Sequence, residues 1–144
     1  MAHIAMHDAY VLARSGLGTP VAKNDPYLRP GQRPAFSMRA GSDAARYAAI
    51  AVAAAASVTL LHLYPNQSKL VKDEFDRFCQ MWGADEAAHR FGSAVGQVVV
   101  ALRKDDGANP DLDTSIANYT ESAAPGRHRE DPRNGGQGFL GPRD

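Results

Sequence analysis

The feature that most constrains this chain is an alanine-rich run from Tyr47 to Leu61, interrupted among small and apolar residues only by Ser57 and Thr59. Alanine is the strongest helix former and has little side-chain volume, so the run predicts a helix that packs closely against its neighbours. The run has about 15 residues, which is shorter than the 20 or so that span a bilayer. We therefore predict the buried central helix of a bundle and no membrane partner.

Both ends of this predicted helix have residues that are typical of helix boundaries. Ser42 is the predicted N-cap, with Asp43 in the first turn, where a carboxylate complements the helix dipole. The helix is expected to end at Leu63, because a residue before proline disfavours helical geometry.

Three further segments have helical periodicity. The first runs from Met1 to Arg14 with apolar residues at Ile4, Met6, Tyr10, Val11 and Ala13, before Gly16 and Gly18. The second begins at about Asn66 and ends at Gly83, and its apolar face predicts a surface helix with Leu70, Val71, Phe75, Phe78 and Trp82. The third follows a predicted cap at Asp85, with apolar residues at Ala88, Phe91, Val95, Val98, Val99 and Leu102. Within this third helix, Gly92 and Gly96 predict a closely approaching neighbour.

Two segments lack such periodicity. Residues 15–41 hold four prolines and four glycines, and residues 106–144 hold four prolines and six glycines. The prediction is an all-α fold: a bundle of about four helices at residues 1–107, with a long proline-rich loop, and a long irregular C-terminal coil at residues 108–144.

Charge and cysteine content exclude several classes of function. Sixteen basic residues balance sixteen acidic ones, so the chain lacks the excess positive charge that attracts nucleic acid. Cys79 is the single cysteine, so no intrachain disulfide forms. The N-terminus has neither the basic flank nor the apolar stretch of a secretory signal. These features favour the cytoplasm, although an export signal upstream of this sequence is compatible with them.

The strongest candidate for chemistry is the group His3, His7 and Asp8. Histidines four residues apart on a helix can ligate zinc, but Ile4 stands where the HExxH pattern requires glutamate. We therefore favour surface or structural histidines.

The other candidates are explained without a catalytic or ligand-binding role. His62 is expected to be a partly buried imidazole bonded to a carbonyl, and Cys79 a buried or incidental thiol. His89 and His128 are isolated, and residues 105–107 read as a helix C-cap. The arginines of the tail are interleaved with acidic residues, which favours solvated charge: Arg127, Arg129 and Arg133. The sequence thus predicts no catalytic, cofactor-binding or metal-binding residue.

The order of several segments resembles the N-terminal helical half of the bacterial vanadium-dependent haloperoxidases, relatives of the PAP2 acid phosphatases. The resemblance covers nearly the whole chain. The segments are HIAMHDAY (3–10), the Pro26-Tyr27 loop, LLHLYPNQ (60–67), ALRKDDG (101–107) and YTESAAPGRHREDPRNGGQGFLGP (119–142).

The resemblance implies where the catalytic residues lie. Family members hold vanadate, or phosphate in the phosphatases, with a lysine before Arg-Pro, a Pro-Ser-Gly-His segment and a Ser-Arg segment, all in their C-terminal half. Lys23 with Arg29-Pro30 is one residue short of that spacing and precedes the alanine-rich helix, so we interpret it as coincidence. Vanadate is thus implied for the complete family enzyme and not for this chain.

Three hypotheses follow. In the first, the chain is scaffold of a haloperoxidase-like or phosphatase-like protein, and its partner is the catalytic C-terminal half. In the second, it is an independent binding or oligomerisation module whose partner is a second copy. In the third, it is a small metal-dependent enzyme that uses His3, His7 and Asp8. The first two imply a homo- or hetero-oligomer.

Overall fold

The structure is a computed structural model that describes residues 1–19, 24–38 and 43–104. This part of the chain is all-α and contains no strand. Its four helices are α1 (Ala2–Gly16), α2 (Ala44–Leu63), α3 (Ser68–Trp82) and α4 (Glu86–Leu102). Short 3-10 turns lie at Pro30–Gln32 and Pro65–Gln67. The predicted class and the number of helices are confirmed, whereas residues 105–144, with the predicted boundary and coil, lie outside the described residues.

The alanine-rich helix α2 is the centre of the bundle, as predicted. It packs against α1, α3 and α4, and α1 also contacts α4. Its buried residues come from more than one side of the helix: Tyr47, Ala48, Ile50, Ala51, Ala54, Ala55 and Thr59. The mostly small side chains of α2 allow three neighbours to share one helix.

One expectation about α2 is wrong in detail. Asp43 is the N-cap instead of Ser42: its backbone is extended, and its Oδ1 accepts the N–H groups of Ala45 and Arg46 at 2.8 and 3.0 Å. The helix has 20 residues and ends at Leu63 as predicted, and within the described part of the chain it is long and apolar enough to be a candidate membrane span. Because α2 packs against three helices, the core of a bundle accounts for the same composition.

The closest packing in the bundle is between α2 and α4. A Cβ atom on Gly92 would overlap the Ala51 carbonyl group. A Cβ on Gly96 would lie 3.0 Å from the Ala55 carbonyl oxygen and 3.0 Å from Cβ of Val58. Both glycines are buried, so the predicted close approach is confirmed.

The helix α3 lies at the surface, as predicted. It begins at Ser68, two residues later than expected, because residues 65–67 form a 3-10 turn first. Gly83 ends it with a φ of 81°, a conformation that favours glycine. Asp85 then caps α4, with Oδ1 accepting the Ala88 N–H at 3.0 Å. Both of these boundary predictions are confirmed.

An aromatic cluster joins the loop to α2 and α4. The ring of Tyr47 lies 5.2 Å from that of Phe36 and 6.2 Å from that of Phe91, measured between centroids. The Tyr47 hydroxyl donates to the Ser37 carbonyl oxygen at 2.8 Å. Burial, with a contribution from Asp85, raises the pKa of Tyr47 to about 12, so this hydroxyl stays a donor at neutral pH.

We expect Gly92→Ala to destabilise the fold more than Gly96→Ala. The first substitution overlaps backbone, which cannot move away as a side chain can, and overpacking typically costs about 1–3 kcal/mol. Gly31→Ala is the control, since nothing lies within 4 Å of a Cβ there. Urea unfolding of the three variants measures the order. Equal stability of Gly92→Ala and Gly31→Ala would contradict the close packing of α2 on α4.

Candidate functional site

A buried carboxylate on α1 holds the loop that precedes α2. Asp8 is fully buried. Its Oδ1 accepts the Tyr27 backbone N–H at 2.9 Å, and its Oδ2 accepts the Leu28 N–H at 2.7 Å. His7 Nδ1 is 3.0 Å from Oδ1. A buried carboxylate is costly unless it accepts hydrogen bonds, and here both oxygens do.

The loop adds bonds of its own around this point. Leu28 is buried in the core, and its carbonyl oxygen accepts Arg33 Nε at 2.9 Å. The backbone N–H of Arg29 donates to Gln32 Oε1 at 3.0 Å. Because Asp8 binds backbone N–H groups, it fixes the path of the loop largely independently of the side chains there.

His7 lies between this carboxylate and an aromatic ring. Its side chain is about one-third exposed, and its ring meets that of Tyr27 edge-on at a centroid distance of 5.3 Å. A neutral imidazole that donates Nδ1–H to a carboxylate keeps its lone pair on Nε2. Such a ring can accept a proton or ligate a metal through Nε2.

The structure brings together only part of the group His3, His7 and Asp8. Asp8 lies in the interior and both its oxygens are occupied, so it is not available on the exposed side of α1 beside the histidines. In the part of the chain that is described, no group of three or more histidine, cysteine and acidic residues is placed to hold a metal ion.

Other candidates lie apart from this cluster. His62 is exposed, so the expectation of a partly buried imidazole is wrong. His89 is exposed too, and its ring packs against Phe75 at a centroid distance of 5.1 Å. Burial, and secondarily Asp76, raises the pKa of the Cys79 thiol, which agrees with an unreactive cysteine. Arg29 lies on an exposed turn. The remaining candidates lie outside the described residues: Lys23, Asp105–Gly107, Arg127, His128, Arg129 and Arg133.

A second feature is the apolar side of α3. We call it the α3 apolar face, formed by Leu70, Val71, Phe75, Phe78 and Trp82. Not one residue of α3 is buried, and Leu70 and Trp82 are 57% and 47% exposed. Phe78 reaches the edge of the core, and the main helix contact of α3 is with α2. Further exposed apolar side chains lie on α3 or just before it: Leu63, Tyr64 and Met81.

Sequence reasoning missed the role of Asp8 in holding the loop. A signal was present, because Asp8 lies three residues after Ala5 and three before Val11, both of which are buried. An acidic side chain on the buried side of a helix requires a hydrogen-bond partner. The partners are backbone groups 19 and 20 residues away, which no side-chain pattern reveals.

Comparisons of the chain with protein-family models, with curated proteins and with solved structures give no match. The haloperoxidase relationship therefore stays a prediction from the segments described above.

We expect Asp8→Ala to destabilise the fold by about 2 kcal/mol or more, because an unpaired buried donor costs about 1–3 kcal/mol and two N–H groups lose their acceptor. Asp25→Ala is the matched control: Asp25 is an exposed acid of the same loop, and we expect a change within about 0.5 kcal/mol. Urea unfolding measures both. A loss for Asp8→Ala no larger than for Asp25→Ala would show that the loop does not depend on this carboxylate.

Proposed function

We propose that this chain is helical scaffold of a vanadium-dependent haloperoxidase-like protein and that it carries no vanadate-binding residue. In the complete enzyme, the resemblance implies oxidation of halide by peroxide at bound vanadate. The observation that carries the proposal is the α3 apolar face, which the described residues leave half covered. An amphipathic helix of this kind requires a further surface to complete its burial.

The charges on the described helices also support a scaffold. Vanadate is a tetrahedral oxyanion, and binding it takes several convergent cationic donors. Three cations instead pair with acids on their own helices: Lys69 with Asp73, Arg77 with Glu74, and Arg90 with Glu86, at N–O distances of 2.5 Å. These pairs are exposed, and each of the three cations is neutralised by an acid of its own helix.

The α3 apolar face is the proposed contact with the catalytic half. It offers aromatic side chains, which are enriched in protein interfaces because they bury a large area at little cost in side-chain entropy. The ion pairs Lys69–Asp73 and Arg77–Glu74 balance the charge on α3. The attraction is therefore apolar and insensitive to the charge of the partner.

The same face supports a second candidate function, an independent module that associates with a second copy of itself. A face that is self-complementary forms a twofold interface between identical chains. The two functions differ in whether the chain alone forms a stable dimer that covers Trp82. A PAP2-type phosphatase is the other alternative for the complete protein, and the residues that separate the two activities lie outside this sequence.

We expect calorimetric titration with orthovanadate to show no saturable binding to the chain alone, because the proposal places the oxyanion donors in the other half. Far-ultraviolet circular dichroism of the same sample verifies that it is helical. Stoichiometric binding, or oxidation of bromide by peroxide, would overturn the proposal. Lys23, Arg29 and the arginines at 127–133 would then be the residues to substitute.

We also expect the folded chain to be a monomer at micromolar concentration and to bind the apolar dye ANS through the α3 apolar face. Leu70→Glu should reduce the dye fluorescence, while Gln80→Glu, an equal charge change at an exposed polar position of α3, should leave it unchanged. Trp82 is the single tryptophan, so its emission reports on this face directly. A dimer in sedimentation equilibrium with blue-shifted Trp82 emission would support the second candidate instead.

A further inference from the structure

Two histidines lie one turn apart on the exposed side of α1. Both are within the helix, which begins at Ala2. Side chains at positions i and i+4 of a helix share a face, with Cβ atoms about 5–6 Å apart. His3 is exposed, and the His7 side chain is about one-third exposed. Two imidazoles at this spacing can reach one ion.

His7 is oriented for such a role. Its Nδ1 lies 3.0 Å from Asp8 Oδ1, and Asp8 is itself held by the N–H groups of Tyr27 and Leu28. The edge-on contact with the Tyr27 ring limits rotation of the imidazole further. Histidine ligands of metals commonly donate a hydrogen bond from the N–H of their second ring nitrogen to a carboxylate in the same way. This bond fixes the tautomer and makes the ligating nitrogen more basic.

We propose that His3 and His7 bind a divalent transition-metal ion, with zinc as the best-suited probe, and that Asp8 is a positioning residue and not a ligand. The sequence favours surface or structural histidines, with a group of His3, His7 and Asp8 only as the third hypothesis. The proposed site differs from that group, because the buried Asp8 carboxylate holds His7 and does not face the ion. The inference is independent of the proposed scaffold function.

Two protein ligands are fewer than the three or four of permanent zinc sites. The positive end of the helix dipole near His3 also opposes a cation. The ion is therefore exchangeable, and its open positions are taken by water or by a donor on another molecule. Zinc is a suitable probe because imidazole is one of its common ligands and it has no geometric preference of its own.

Calorimetric titration of the full chain with Zn²⁺ tests the site. We expect one zinc per chain at micromolar affinity, with saturable binding lost in His3→Ala and in His7→Ala. His89→Ala is the matched control, since it removes an exposed histidine from α4 and should leave binding unchanged. Loss in His3→Ala alone would indicate chelation by the N-terminal amine, and it would overturn the proposal. Absence of saturable binding to the unmodified chain would overturn it too.

Testing Asp8 as a positioning residue requires a measurement whose result would not change if Asp8 only stabilised the fold. Nitrogen-15 NMR of the unmodified chain should show His7 with its proton on Nδ1, and zinc should shift the Nε2 resonance. Asp8→Asn should lower zinc affinity about 10-fold, the typical effect of losing the partner of a histidine ligand. Because Asp8→Asn also weakens the hydrogen bonds to the loop, the NMR result decides independently. A His7 proton on Nε2, or a zinc-induced shift confined to Nδ1, would contradict the positioning role.

Discussion

The close approach of α2 and α4 is the contact on which the rest of the bundle depends. It requires small side chains on both helices, and Gly92 and Gly96 meet the backbone at Ala51 and Ala55. Few large side chains fill this core, so its stability comes from many short contacts between small residues. Such packing has little free volume in which to absorb an added methyl group. The α2–α4 contact is therefore the most sensitive part of the fold to substitution.

The loop before α2 is organised by a different principle. It has few apolar residues, yet Leu28 enters the core and Phe36 joins the aromatic cluster of Tyr47 and Phe91. Asp8 makes this possible, because it accepts two backbone N–H groups where the chain reaches α1. The hydrogen bonds accepted by this one buried carboxylate thus take the place of the regular backbone hydrogen bonds that a proline-rich segment cannot form. The same carboxylate orients His7, so the chemistry of the α1 surface is linked to the stability of the loop.

Local signals predicted most of the fold, and long-range contacts account for what was missed. Gly83 and Asp85 mark helix ends through their own backbone conformation and side chain, so the sequence alone identifies them. Ser42 and Asp43 are both good caps, and side-chain preference alone could not choose between them. The bonds of Asp8 to the loop have no local signature, since its partners are backbone groups. Periodicity could place this acid on a buried side but could not say what it binds there.

The contrast between α4 and α3 explains why, among the described residues, α2 packs closely against α4 and less completely against α3. Where α4 presents glycine and valine, the two backbones come into near contact. Where α3 presents large side chains, Phe75 and Phe78 remain half-buried, and Leu70 and Trp82 are about half exposed. Aromatic side chains are better suited to fill the space between two surfaces than to lie on a single helix of alanines. For this reason α3 is the helix whose apolar side the described residues bury least completely, and it is the surface to which the proposed function assigns a partner.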